Sequence, residues 1–320
     1  MITKPPWQPF DLPPDITRTG VYVGTSGYYF DDWMGVFNPP PLRRTRRGTK
    51  RVGARHGVPM TDEEKTDHDR LQFYQKYFSF VEINNTFYSE PSLAHFLDME
   101  SRSKESMLYS VKVHKDISHT RENDISAGQD MMRRHITAVS PLIETGRFFS
   151  FLIQLEDHVF RSQKKLDYLL SVASVAVSEH IDVHIEFRHI SWHNEQVLTA
   201  LKNSGVGICN TEIPPVKHAF PLKAYATTDK GYIRYSGLNL ANWNPPSGQK
   251  PLTARDRIAQ RNGRYDYEYS DEELLQRVKG QLVLRTKTTR MAIAYNNHFN
   301  AKAVRNAIKN MKLLLERLKE

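Results

Sequence analysis

The chain has 320 residues, 39% of them apolar, with a net charge of +9 and one cysteine, Cys209. This length suits one α/β barrel with insertions, and the apolar fraction is enough to build a core. A single cysteine excludes an internal disulfide and favours a reducing compartment. Because Cys209 lies in the apolar run GVGICN, we interpret it as a small buried residue rather than a nucleophile.

The N-terminal segment 1–19 is a Pro-rich extension that begins MITKPPWQPFDLPPD. It has no apolar core of the kind found in signal peptides. The chain also has no stretch that approaches the roughly 20 apolar residues of a membrane span. We therefore predict a cytoplasmic protein without a membrane partner.

Residues 42–57, LRRTRRGTKRVGARHG, contain seven Lys/Arg and no acid, so the rest of the chain carries only 9 − 7 = +2. This segment lies in a predicted loop insertion, 40–60. Its low apolar content indicates that it cannot pack by itself. Two interpretations remain open: a contact with nucleic acid or phosphate, and a solvated insertion.

Strand patterns alternate with helical patterns along the chain, as in parallel βαβ units. The alternation is weakest at 214–230, between the sixth and seventh predicted strands, because the sequence of this segment does not favour a helix. Eight such units predict an α/β fold of the TIM (β/α)₈ barrel type, a closed parallel sheet with surrounding helices, as a single domain over 1–320. The predicted strands are 20–27, 80–88, 108–115, 148–155, 182–189, 205–212, 231–237 and 291–297. The predicted helices are 62–78, 92–103, 128–145, 162–179, 194–205, 270–282 and 301–320.

Alternation along each strand predicts which side chains face the lumen. In FVEINNTFY (80–88), Val81 and Ile83 should face the helix layer and Glu82, Asn84 and Thr86 the lumen. Because unpaired buried charges cost several kcal/mol, lumen charges must pair with each other or meet a ligand. The same rule applied to all strands predicts a polar lumen set of Glu82, Asn84, Lys112, Gln154, Glu186, Arg188, Arg234 and Asn296.

Two interpretations of this set follow. It is either a structural ion-pair network or a polar pocket at the C-terminal mouth, where barrel enzymes place their sites. We favour the pocket, since three cations and two carboxylates converge at one end. The cationic excess suits a phosphate, a carboxylate or another anion.

Long ordered motifs run along the chain: GTSGY (24–28) with Trp33, FVEINNTFYSEPS (80–92), VKVHKDISH (111–119), LIQL (152–155), IEFRHISW (185–192), RYDYEYSDEEL (264–274) and AYNNHFNAKAVRNA (294–307). Together these motifs resemble the YecE-like family, the domain of unknown function number 72. The resemblance implies a TIM barrel without a settled reaction, although likeness to barrel endonucleases has suggested a nucleic-acid role. The chain has SGLN (236–239) where relatives often have His-Gly-Arg-Asn. The usual Asp after the sixth strand is replaced by Glu212 or lost at Asn210.

Other motifs are weaker. No HExxH or CxxC pair indicates a metal, although His119, Glu186 and Glu212 could form a site from separate strands. GTSG lacks a full phosphate-loop pattern, but Ser26 and nearby backbone N–H groups could hold an anion. We interpret Phe87 as a core cap. The pocket walls that could stack on a ring or base are Tyr28, Trp33, Tyr88 and Trp192.

The leading hypothesis is a pocket, enzymatic or purely ligand-binding, for an anionic and phosphate-containing ligand. In an enzyme, Glu82 and Glu186 would be the acid/base pair, and metal-assisted phosphodiester hydrolysis would fit. The sequence names no cofactor or resident metal. The alternatives are a non-catalytic nucleic-acid-binding protein using 42–57, and a barrel with a structural network. The predicted ligand-binding residues are Ser26, Tyr28, Trp33, Asn84, Tyr88, Lys112, His119, Gln154, Arg188, Trp192, Arg234, Asn296 and Asn297.

Overall fold

Eight parallel strands close into a barrel in the computed structural model, which describes residues 8–40, 43–44, 51–52, 69–120, 123–243 and 262–319. Each strand pairs with the next one along the chain, and the last pairs with the first. The TIM-barrel prediction is therefore confirmed. The strands are β1 Val21–Ser26, β2 Phe80–Ile83, β3 Leu108–Lys112, β4 Phe148–Gln154, β5 Val183–Glu186, β6 Gly207–Glu212, β7 Lys230–Tyr235 and β8 Arg290–Tyr295.

Helices surround this sheet on the outside. The α-helices are α1 Arg70–Tyr74, α2 Leu93–Ser101, α3 Lys115–Ser118, α4 Ile125–Glu144, α5 Gln163–Val177, α6 Glu195–Asn203, α7 Leu240–Trp243, α8 Asp271–Arg285 and α9 Lys302–Leu318. Short 3₁₀ turns lie at Thr17–Thr19, Asp31–Trp33, Asn85–Phe87, Ile190–Trp192 and Phe299–Ala301. The segment between β6 and β7 forms no helix, as its sequence indicated.

Several strands end earlier than the sequence pattern predicts. β2 stops at Ile83, because Asn84 adopts a helical backbone conformation and starts a 3₁₀ turn. Thr86 then lies in that turn, where its hydroxyl donates to the backbone oxygen of Lys112 at 2.6 Å. Arg188 and Asn296 likewise follow their strands instead of lying within them. These residues still reach the barrel mouth, but from the loops.

The lumen is divided along its length. Its lower part holds apolar side chains that pack as a cluster separate from the main core. Cys209 belongs to this cluster and is fully buried, as the sequence predicted. The upper part, toward the C-terminal ends of the strands, holds the charged residues Glu82, Glu186 and Arg234. The lower cluster consists of Phe80, Leu108, Phe149, Leu152, Cys209, Tyr232, Ala292 and Ala294, with Tyr22 against it.

Gly24, in the GTSG motif of β1, allows a close approach of two strands. A Cβ added there would lie 1.8 Å from the backbone oxygen of Phe80 on β2. Two backbone N–H groups that follow already have acceptors within the protein. The N–H of Thr25 donates to the Tyr74 hydroxyl at 2.8 Å, and that of Gly27 donates to the Glu82 backbone oxygen at 2.8 Å. The glycine is therefore explained by strand packing.

Part of the N-terminal extension packs on the barrel. Ile16 is buried, and the Tyr77 hydroxyl donates to the Phe10 backbone oxygen at 3.2 Å. In the basic insertion, Arg43–Arg44 pairs antiparallel with Arg51–Val52, and its other residues lie outside the described ones. Across the described residues, we find no helix with the length and apolar character needed to cross a bilayer.

Candidate functional site at the barrel mouth

Glu82 lies at the centre of a hydrogen-bond network near the C-terminal end of β2. Its carboxylate accepts from the Ser26 hydroxyl at 2.8 Å, from the Tyr232 hydroxyl at 2.6 Å and from two nitrogens of Arg234. Burial would raise the pKa of this carboxyl, but the charge and hydrogen bonds of Arg234, with those of Tyr232 and Ser26, lower it below its usual value. Glu82 is therefore ionised, and both of its carboxylate oxygens accept hydrogen bonds.

Glu186, at the end of β5, is the second buried carboxylate. It accepts from Arg188 Nε at 2.7 Å and from Arg234 Nη1. Burial would raise its pKa, but the charges of Arg234 and Arg188 hold the pKa of Glu186 at about 2. Arg234 thus bridges both carboxylates, and the pKa of its guanidinium is raised further, as Glu186 and Glu82 outweigh the effect of burial.

Lys112, the last residue of β3, lies beside this network with a different set of contacts. Its Nζ donates to Gln154 Oε1 at 2.8 Å and lies 3.8 Å from the centre of the Phe87 ring. Its hydrogen-bond partner is thus an amide rather than a carboxylate. Burial and the charges of Arg234 and Arg188 lower the pKa of Lys112 to about 7, against the weaker attraction of Glu186 and Glu82.

A cavity of about 600 Å³ opens above these charges at the C-terminal ends of the strands. It brings together six predicted site residues: Asn84, Tyr88, Lys112, Gln154, Arg234 and Asn296. Arg188 is not among the lining residues; it pairs with Glu186 at 2.7 Å, and its Nη2 is buried without a hydrogen-bond partner among the described residues. The other lining residues are Phe30, Asp31, Asp32, Asn262, Arg264, Tyr265, His298 and Phe299.

Two predicted pocket walls lie in the core instead. Trp33 is fully buried, and its indole N–H donates to the His298 backbone oxygen at 2.6 Å. Trp192 is also fully buried, stacks on Phe187 and donates to the Val159 backbone oxygen at 2.7 Å. Both residues follow strands, but short 3₁₀ turns direct their rings beneath the loops rather than into the cavity.

Tyr28 and Asn297 also lie outside the cavity. Tyr28 lines an adjoining hollow, which shares Asn84 and Tyr88 with the mouth. The Asn297 amide nitrogen donates to the Tyr267 backbone oxygen at 2.7 Å and to Asn306 at 2.8 Å, so it holds α9 in place. Ser26 is not a lining residue either, and its hydroxyl donates to Glu82 at 2.8 Å.

His119 lies in a neighbouring side pocket of about 370 Å³. Its Nδ1 is 2.6 Å from the Ser118 hydroxyl, and its Nε2 is 3.2 Å from Glu156. Glu212, by contrast, pairs with Arg277 at 2.8 Å. The possible His119, Glu186 and Glu212 site is therefore not assembled. Within the described ranges, no three His, Cys, Asp or Glu side chains are arranged to hold a metal ion.

Sequence reasoning missed two kinds of site residue. Tyr232 has the same strand parity as Arg234, so the period-two rule applied one step earlier would have found it. Arg264 and Tyr265 come from the long connection between β7 and α8, where no periodic pattern places a side chain. The acidic rim residues Asp31 and Asp32 come from a loop for the same reason.

Comparisons with known proteins agree with this architecture. A family model described as "Protein of unknown function DUF72" matches residues 58–320. The UPF0759 protein YunF of Bacillus subtilis (strain 168) is 23% identical over 268 residues, covering 80% of this chain and 89% of YunF.

Two solved structures share the fold. A DUF72 family protein of Thermotoga maritima MSB8 has a TM-score of 0.69 and 25% identity, covering 94% of this chain and 99% of that one. A DUF72 family protein of Enterococcus faecalis V583 has a TM-score of 0.71 and 19% identity, with 92% and 95% covered.

Proposed function

Because the chain belongs to the DUF72 family of proteins of unknown function, we propose its function from its own residues: the cavity at the barrel mouth binds a small anionic ligand. The observation that carries this is the excess of cationic groups over carboxylates in a buried site. Arg234 and Arg188 together match the two charges of Glu82 and Glu186, so the excess charge is that of Lys112 when it is protonated. In addition, Arg188 Nη2 has no hydrogen-bond partner among the described residues.

The charge count supports an anion rather than a cation. Lys112, Arg188 and Arg234 face Glu82 and Glu186, which leaves one excess positive charge when Lys112 is protonated. A buried excess charge is costly unless a counter-charge meets it. A phosphate or carboxylate group in the cavity would supply that counter-charge and match the planar guanidinium geometry.

The cavity is suited to a small molecule. Its volume of about 600 Å³ lies within the range of about 300–1,000 Å³ typical of ligand sites. Arg264 adds a further cation to the lining, and Asp31 and Asp32 add two carboxylates. Asn84 Oδ1 has no hydrogen-bond partner among the described residues and could accept from a ligand hydroxyl.

Phosphodiester hydrolysis stays a prediction, and the hydrogen bonds of the two carboxylates bear on it. Glu82 and Glu186 both accept hydrogen bonds from arginines, and these interactions hold the pKa of Glu186 at about 2. A carboxyl held so low is a poor proton donor near neutral pH. We therefore propose that Glu82 and Glu186 hold the cations in position rather than transfer protons. The ion-pair network of the structural hypothesis would then be part of the same site.

Nucleic-acid binding by the basic loop also remains a prediction, since most of 42–57 lies outside the described residues. Its distinctive sign would be binding to DNA or RNA that weakens steeply as salt rises and is lost when 42–57 is deleted. The mouth cavity, by contrast, should bind a small anion with or without that loop.

The experiment for the mouth is a titration with inorganic phosphate and with malonate at fixed ionic strength, near pH 6, where Lys112 is mostly protonated. We expect both anions to raise the melting temperature of the wild-type protein by mass action. Lys112→Met should reduce the shift. Lys165→Met is the matched control, because Lys165 is a buried lysine of the His119 side pocket.

Calorimetry then gives the affinities. A loss of affinity of about tenfold in Lys112→Met, equivalent to one excess charge contact of roughly 1.4 kcal/mol, with Lys165→Met unchanged, would support the site. No shift with either anion, or the same reduction in both variants, would overturn it.

A further inference from the structure

We propose that Lys112 is an amine nucleophile that forms a Schiff base with the carbonyl carbon of an anionic aldehyde or ketone bound in the barrel mouth. This inference rests on the proposed anion site and names its substrate class. It assigns Lys112 a reaction that simple anion binding does not require.

The position of Lys112 suits a nucleophile. It ends β3, so its side chain projects from a rigid strand into the cavity of about 600 Å³. Its backbone oxygen accepts from the Thr86 hydroxyl at 2.6 Å, which fixes the strand end to the following turn of β2. The amine itself has an amide and an aromatic ring as neighbours, Gln154 and Phe87, and therefore remains displaceable.

The surroundings also favour the neutral amine. Nearby guanidinium charges and burial make the ammonium form costly, and the pKa of Lys112 falls to about 7. About half of the molecules then carry the free amine near pH 7, compared with roughly one in a thousand or fewer for a lysine with an ordinary pKa of ~10.4. Desolvation beside other cations is a recognised way to activate a lysine.

Lys112 and Arg264 have complementary tasks in this site. Arg264, which lines the cavity, would hold the anionic end of the ligand, which leaves the carbonyl end for the amine. The Asn84 Oδ1 acceptor at the cavity wall could receive a hydrogen bond from the hydroxyl that forms during addition. An anionic group and a carbonyl on one small molecule would therefore satisfy both halves of the pocket.

The reaction balances without an added oxidant or reductant. The free-base nitrogen forms a bond to the carbonyl carbon while the C=O π bond breaks, and the oxygen takes up a proton to give a carbinolamine. Loss of that oxygen as water, with uptake of one proton from solvent overall, leaves a protonated imine. Free amine, carbonyl compound and one proton thus give protonated imine and water.

The test uses glyoxylate, an anionic aldehyde, with sodium cyanoborohydride, which reduces any imine to a stable secondary amine. Whole-protein mass spectrometry counts the adducts and peptide mapping locates them. We expect one early adduct, on Lys112, formed at least about tenfold faster than on the exposed Lys164, because an ordinary lysine is almost wholly protonated near neutral pH.

Three comparisons make the result specific. Glycolaldehyde, a neutral aldehyde, should label Lys112 more slowly than glyoxylate, and inorganic phosphate should slow labelling by glyoxylate. Lys112→Arg keeps the charge and should lose the adduct.

Lys165 is the most stringent control, because burial lowers its pKa to about 8 although it lies in another pocket. Equal labelling of Lys112 and Lys165 would mean that burial alone explains the reactivity, and would overturn the proposal.

The outcomes separate the two proposals. If phosphate raises the melting temperature but glyoxylate labels Lys112 no faster than Lys164, the Schiff base is overturned and the anion site stands. If phosphate has no effect and both aldehydes label Lys112 equally fast, the anion site and the anionic substrate class are overturned. These readouts use the wild-type protein, so they do not depend on the folding of any variant.

Discussion

Arg234 holds Glu82 across the barrel lumen through two parallel hydrogen bonds, from Nε to Oε2 at 2.7 Å and from Nη2 to Oε1 at 2.8 Å. This is the bidentate geometry that gives arginine–carboxylate pairs their strength and direction. Both side chains are almost wholly excluded from solvent. The third nitrogen of the same guanidinium reaches Glu186, so one cation connects β7 to both β2 and β5.

Glu82→Gln should therefore be strongly destabilising. It leaves Arg234 buried with less compensating charge, and we expect the free energy of unfolding to fall by about 3–5 kcal/mol. Urea denaturation measures this change. Asp130→Asn is the control, since its pair with Arg133 is exposed and should be worth under about 1 kcal/mol. Equal losses in the two variants would contradict a special role for the lumen pair.

Stability should also depend on the ionisation of Glu186. Its folded pKa, about 2, lies below the ordinary 4.5. The stabilisation is therefore fully present above pH 4.5 and is lost progressively as the pH falls toward 2. Urea midpoints from neutral to acidic pH should show this decline. Glu186→Gln should be less stable at neutral pH yet show a shallower acid decline. If Glu186→Gln lost stability as steeply as the wild type on acidification, the ionisation of Glu186 would not be the cause of the decline.

Lys112→Met should behave in the opposite way from Glu82→Gln. The folded pKa of Lys112, about 7, lies below the ordinary 10.5. The unfolded chain thus binds more protons between these values, and this lysine makes the protein less stable as the pH falls from 10.5 to 7. Replacing an incompletely compensated buried cation by an apolar side chain of similar shape should be neutral or stabilising by up to about 2 kcal/mol.

Melting curves of Lys112→Met and wild type across that pH range provide the measurement. The variant should show a smaller rise in stability with pH than the wild type. A loss of several kcal/mol in Lys112→Met, like that expected for Glu82→Gln, would mean that Lys112 is part of the structural network.

Alanine substitutions of Trp33 and Tyr88 test which of these two rings is packed in the core and which is exposed at the cavity. Trp33→Ala should lower the free energy of unfolding by about 3–5 kcal/mol, because it empties a buried site. Tyr88 is 64% exposed, so Tyr88→Ala should change stability by less than about 0.5 kcal/mol. Chemical denaturation compares the two. A stable Trp33→Ala protein would place that ring in the cavity after all.

The barrel and much of its lumen could be predicted from sequence because strand parity is strictly periodic. Glu82, Lys112, Glu186 and Arg234 were identified in this way, since each lies on a strand with clearly apolar neighbours. Their pairing could not be predicted, because it depends on which strands face each other across the lumen. The fixed register of the closed sheet decides that only in three dimensions.

Residues beyond the strand ends were harder to predict. Trp33 and Trp192 follow strands as pocket walls would, but local turns bury them. Arg264 comes from a connection whose sequence has no periodicity. Loop position therefore indicated only that a side chain was near the mouth, and the turn geometry decided whether it faced the cavity or the core.

The bridging position of Arg234 has a consequence for how the chain folds. Glu82 and Arg234 are separated by 152 residues in sequence, so their contact requires most of the barrel strands to be in place. Contacts of such long range slow folding, because a large loop must close before they contribute. A fragment that ends before β7 would leave two buried carboxylates without their shared cation. We therefore expect the contacts of Arg234 to form late in folding and to stabilise the completed barrel relative to partly assembled intermediates.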